Sequence, residues 1–170
     1  MRAVATLFAL LALCSCGPLN AQDEQYAESF HKTISANGVK TLRLVNTAGT
    51  VRIDATAGND VVIDAVKKGR TAESVGAIHI DVASTGGTIS IESRYEVSTA
   101  HENVDYRIKA PASLALEVSN MAGTMHLDGF SRDVSAKGQA GTIAVTMAKL
   151  GGDQKVDLQS TAGTIALTKS

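Results

Sequence analysis

Two His-x-Asp triplets are the residues of this sequence best suited to chemistry: His79-Ile80-Asp81 and His126-Leu127-Asp128. At that spacing an imidazole and a carboxylate share one face of a β-strand, about 6.6 Å apart along it. Stacked on one another, the two pairs would form a surface metal or proton-transfer site. Both pairs nevertheless fall on the polar face of an alternating segment, where charged side chains are expected whatever their role. His31 and His101 show no partner spacing. Asp54, Glu92 and Asp128 hold equivalent positions in three copies of a repeat, which makes a candidate acidic column. The column reads as a solvated outer face, with weak Ca²⁺ binding as the alternative. Like charges on adjacent strands repel, so degenerate units are expected to keep these acids apart.

Other chemical signals are absent from the sequence. It has no G-x-S-x-G, no H-E-x-x-H and no P-loop lysine, and no residue is assigned as catalytic or as binding a cofactor. Aromatics are 4% of the chain with no Trp, too few for the stacking platforms that sugar sites favour. Lys67-Lys68-Gly69-Arg70 is short and reads as a corner of the chain rather than a nucleic-acid patch.

The elements that must carry these residues follow from a repeat. Thr47-Ala48-Gly49-Thr50-Val51-Arg52-Ile53-Asp54 recurs, with variation, around Gly87, Gly123, Gly141 and Gly163. Each copy is a small-residue turn feeding a strand that alternates polar and apolar. Ala-Gly suits the two central positions of a type II turn, where glycine supplies positive φ. Successive turn glycines are 38, 36, 18 and 22 residues apart, so one unit spans roughly 18–20 residues with degenerate units near Gly69 and Tyr106. The period of two within each unit excludes helical repeats. The predicted fold is all-β, a β-solenoid or single-stranded parallel β-helix, because stacked coils need equivalent corners and a sandwich does not. Asn46, Ser84, Asn120, Gly138 and Ser160 stand three residues before the turn glycines, where short polar side chains bond corner backbone or stack as a ladder.

Length and charge fit a single domain behind a leader. The chain has 170 residues, 44% of them hydrophobic, and a net charge of −1, which points to neither nucleic acid nor an anionic membrane surface. Met1-Arg2 followed by the apolar stretch Ala3 to Leu13 has the form of a signal peptide and is too short to span a membrane. Two processing routes remain open: cleavage after Ala21, giving a 1–21 signal peptide, or a lipobox reading in which 1–15 is removed and Cys16 is lipidated. Residues 22–29 read as a flexible tether and 30–170 as the β-solenoid domain. Both cysteines, Cys14 and Cys16, lie in the leader, so the domain is expected to hold together without disulfides.

From about Phe30 onward the pattern resembles a family of exported bacterial proteins, the putative adhesins. The likeness rests on Leu42-Arg43-Leu44 running into Ala48-Gly49-Thr50-Val51, on Val104-Asp105-Tyr106-Arg107-Ile108-Lys109-Ala110-Pro111, and on the three closing copies. The family turn is typically Asn-Gly-Asp or Asn-Gly-Ser, whereas this chain mostly has Ala-Gly-Thr. The resemblance implies a single-stranded parallel solenoid at the cell envelope, in the periplasm or at the outer membrane or cell surface. The expected function is a non-enzymatic, adhesin-like interaction module. Its partner would be an envelope or surface protein or a glycan, with self-association through the C-terminal strand edge as a further route. The alternative is an envelope metal-binding protein or enzyme using His79, Asp81, His126 and Asp128; a third is an accessory to envelope stress or signalling.

Overall fold

Alternating apolar and polar residues carry nearly the whole described chain into strands. The computed structural model describes residues 26–96, 101–148 and 154–169. The leader, Cys16 and residues 22–25 of the tether lie outside the described residues. In chain order the elements are β1 (Tyr26–Ser35), β2 (Thr41–Ala48), β3 (Val51–Thr56), β4 (Asp60–Gly69), a short helix α1 (Ala72–Gly76), β5 (Ile78–Thr85), β6 (Thr88–Tyr95), β7 (Asn103–Pro111), β8 (Ala115–Phe130), β9 (Val134–Met147) and β10 (Val156–Lys169). All ten strands join one curled sheet of mixed direction. Tyr26–Ser29, read from the sequence as tether, is the start of β1 and pairs with Val66–Gly69 of β4.

Part of the sheet is a parallel stack. β2 and β3 lie beside the two halves of β8, in register from Leu42↔Leu116 through Ala48↔Ala122 and on to Ile53↔Leu127. β9 stacks on β8 and β10 on β9 in the same register, with Gly123↔Gly141 and Gly163↔Gly141 aligned. On the other side of this stack, β6 pairs with β2 and β7 with β3, both parallel. The inward positions of both arms, such as Leu42, Leu44, Val51 and Ile53, enter one aliphatic core, so the sheet curls along its line of glycines.

The single-stranded parallel solenoid is corrected by the remaining pairings. β1–β4, β4–β7 and β5–β6 are antiparallel. The physical reason lies in the turns. Gly86 and Gly87 have φ of 60° and 77°, and Thr85 pairs with Thr88 across them, a two-residue hairpin loop with both central residues at positive φ. In the other four copies an alanine stands where Gly86 does, and no non-glycine residue of the described chain has positive φ. Those copies do not form this hairpin turn, and the strand continues through a corner instead. Gly87 is therefore a hairpin residue, while Gly49, Gly123, Gly141 and Gly163 are the stacked corners. Their φ values, 119° to 152°, also differ from the ~80° of a type II turn.

The corners are built to glycine dimensions. A Cβ on Gly123, Gly141 or Gly163 would come within 2.1, 1.9 and 1.8 Å of the carbonyl oxygen of the corner glycine one layer before it. Asn46 and Asn120 sit beneath two of the corners, each 1% exposed. Asn46 Nδ2 donates to Ala48 O, Val104 O and Asn120 Oδ1 at 3.0, 3.1 and 3.2 Å, and Asn120 Nδ2 donates to Gly49 O at 2.9 Å. The polar ladder expected before the corners is thus present for these two residues. It stops at Gly138, which has no side chain to continue it.

The basic run is also placed differently from the sequence reading. Lys67 and Lys68 lie inside β4 rather than at a corner. Lys67 is nearly buried, with Nζ 2.7 Å from Glu28 and 3.3 Å from Ile78 O, and Lys68 pairs with Asp105 at 2.7 Å. Helix α1 was not expected; its start is fixed by a capping box between Thr71 and Ser74.

Candidate functional site

The columns of the parallel stack identify where the fold is unfinished. Two and four residues after each corner glycine, the chain places an inward apolar pair. Val51 and Ile53 are 0% exposed, and Met125, Leu127, Ile143 and Val145 are each 1% exposed. In β10 the same positions hold Ile165 and Leu167, which are 41% and 45% exposed. The pattern is that of a core layer that no described residue covers. β10 pairs with β9 on one edge, and among the described residues nothing pairs with the other. Below it a hollow of about 570 Å³ reaches the corner, lined among others by Leu158, Ser160, Ile165, Asn120 and Gly138.

This edge can accept a strand by backbone pairing, with the apolar pair setting register. The corner adds a selection rule. Because each corner residue abuts the carbonyl of the layer before it, a strand added in parallel beyond β10 needs glycine over Gly163.

The sequence-derived candidates occupy other places. His79 and Asp81 lie on β5, whereas His126 and Asp128 lie on β8, with β6 and β2 between them in the sheet. At least three strand spacings, about 14 Å, separate them, and His126 and Asp128 lie past the corner in the half of β8 that pairs with β3, so the fold does not bring the two pairs together. His79 Nε2 sits 3.0 Å from Glu96, and Asp81 pairs with Arg94. That hydrogen bond from Arg94 holds the Asp81 carboxyl below its ordinary range, and Asp81 raises Arg94 in return. No group of three or more His, Cys, Asp or Glu with metal-binding geometry occurs among the described residues.

The acidic column is rearranged. Asp54 and Asp128 are direct register neighbours, while Glu92 stands opposite Asp81 and Val45. Degenerate units therefore do not separate Asp54 from Asp128. Arg52 offsets their repulsion: its Nε lies 2.9 Å from Asp54, and that bond, aided by Asp128, raises the Arg52 guanidinium.

Sequence spacing missed several pairings because the partners meet only through the sheet. His31 Nδ1 lies 2.6 Å from Asp64, 33 residues away. Tyr106 OH and Ser93 Oγ are 2.6 Å apart in the core, and Tyr95 OH donates to Asn46 Oδ1 at 3.4 Å. Burial pushes the Tyr95 phenol up to about 12 and raises Tyr106 as well. Another hollow, of about 780 Å³, is lined by Arg70, Glu73, His79, Glu96, His101 and Glu102 among others.

No protein-family model matches the sequence. No curated protein matches it either. Among solved structures, a putative cell adhesion protein from Clostridium sporogenes is similar at 11% identity and a TM-score of 0.49, over 85% of this chain and 100% of that one. A putative adhesin from Parabacteroides distasonis is similar at 9% identity and a TM-score of 0.41, over 83% of this chain and 66% of that one. A putative adhesin from Bacteroides fragilis aligns at 12% identity and a TM-score of 0.30, over 84% of this chain and 97% of that one. At these scores none of the three likenesses carries a fold or a function over to this chain.

Proposed function

We propose that this chain is an exported, non-enzymatic interaction module of the bacterial cell envelope, adhesin-like in role, that binds a partner's strand along the β10 edge. One observation carries the reading: Ile165 and Leu167 are exposed at positions whose equivalents are buried in every other layer of the stack. Burying them under an added strand would recover about 25 cal/mol for each Å² of apolar surface removed from water. The partner is an envelope or surface protein that supplies a strand with glycine at the corner and apolar residues two and four positions later. Export and envelope location rest on the signal-peptide form of residues 1–21, with Cys16 as the lipidation candidate in the other processing route.

A labelled peptide with the sequence of residues 156–169 tests the proposal by fluorescence anisotropy against the full chain. Saturable binding is expected, with loss when the peptide's corner glycine becomes valine and when the protein carries Ile165→Pro. Binding that ignores both changes, or no binding, overturns strand addition. Concentration-dependent mass of the chain alone, abolished by Ile165→Pro, would identify a second copy as the occupant.

A further inference from the structure

The outer face of the other arm holds a charge arrangement that strand pairing leaves incomplete. Arg107 of β7 and Arg52 of β3 are direct register partners, and Asp64 of β4 is the partner of Arg107 on its other side. Two guanidinium stems about 4.8 Å apart on one face destabilise the sheet unless something neutralises them. Asp64 makes no ion pair with either arginine; its Oδ1 lies 2.6 Å from His31 Nδ1 instead. Asp105 is engaged as well, taking Lys68 Nζ on Oδ2 and the Thr50 N–H on Oδ1, both at 2.7 Å. Arg52 commits its Nε to Asp54 at 2.9 Å. Arg107 is exposed and makes no hydrogen bond or ion pair among the described residues.

These side chains line one groove of about 640 Å³, along with the exposed Ser29 and Thr50. That volume lies within the range of small-ligand sites. We propose that this groove binds an acidic saccharide, with Arg107 and the free end of Arg52 holding its carboxylate. A guanidinium fork matches a carboxylate in a bidentate pair. The flanking groups favour a hydroxyl-rich monoanion. The second oxygen of Asp64 accepts a ring hydroxyl, and the Ser29 and Thr50 hydroxyls donate or accept. A polyanion would meet Asp64 and Asp105 at the same rim and be repelled. The site is independent of β10, so it stands or falls separately from strand addition.

Calorimetric titration of the full chain with galacturonate, its methyl ester, sodium sulfate and a poly-Glu peptide tests the proposal. Galacturonate should bind, and the ester, which keeps the ring but loses the charge, at least tenfold more weakly. Arg107→Gln should weaken galacturonate binding at least tenfold without moving the melting temperature. Arg107→Lys should fail to rescue it, because lysine lacks the fork. Amide shifts at Thr50 and Asp105 on titration would locate the site, and Ile165→Pro should leave the binding intact. Equal binding of acid and ester, tighter binding of poly-Glu, competition by sulfate at equal concentration, or no binding of galacturonate at millimolar concentration overturns it.

Discussion

A single methyl group added at Gly141 tests the stacked corner most directly. At φ of 125° the residue occupies backbone space that alanine enters at a cost of about 1–3 kcal/mol. The new Cβ would also lie 1.9 Å from Gly123 O and 2.8 Å from Gly123 C. Relief requires the β8–β9 ladder to open by more than ~1 Å, which weakens on the order of two backbone hydrogen bonds at about 1 kcal/mol each. Together these effects destabilise Gly141→Ala by about 4 kcal/mol, a fall in melting temperature of roughly 15 °C for a domain of this size. Gly38→Ala is the control. Gly38 has φ of 75°, but its Cβ would meet nothing within 4 Å. Strain alone acts there, at about 1–2 kcal/mol. Thermal melts followed by far-UV circular dichroism compare the two. Equal shifts for both variants would refute the steric corner, and a Gly141→Ala melt within a few degrees of wild type would refute the stacking itself.

Three further outcomes follow from named contacts. Asn120→Leu removes the donor to Gly49 O and leaves Asn46 Nδ2 without one of its acceptors. The loss in urea denaturation should be about 2–3 kcal/mol, and an unchanged midpoint would show that the bracket contributes nothing. Ile143→Ala should cost about 2–5 kcal/mol as a buried core truncation, whereas Ile165→Ala, 41% exposed, should cost under about 1 kcal/mol. Equal losses would mean that the β10 edge is already covered. Burial raises Tyr95 in the folded chain from 10.0 to about 12, so the folded state holds its proton more tightly than the unfolded state. That contribution is fully present below pH 10 and is lost as pH rises towards 12. Phenolate absorbance and circular dichroism recorded together should show Tyr95 ionising with unfolding, and Tyr95→Phe should flatten stability across that window. Ionisation of Tyr95 near pH 10 with the fold intact would contradict its burial.

Alternation and glycine spacing made the strands, the small-residue corners and the Asn46–Asn120 ladder legible, because each depends on residues close in sequence or on a repeated local pattern. The hairpin at Gly86-Gly87 was legible in principle: a second glycine in place of alanine permits positive φ at both central residues, and the chain reverses. The repeat masked that difference, since Thr85-Gly86-Gly87-Thr88 otherwise reads like the other copies. The candidate edge was partly legible too, as the last copy of a stacking pattern.

By itself, then, the sequence determined an all-β chain with narrow aliphatic layers and glycine corners, since side-chain periodicity and backbone permissiveness are local properties. Tertiary structure alone decided which layers became neighbours. It set Asp54 beside Asp128, Arg52 beside Arg107 and His31 against Asp64, and it kept His79 apart from His126. Pairing partners are chosen by register across strands distant in the chain, and that choice depends on where the chain turns back and where it runs on through a corner.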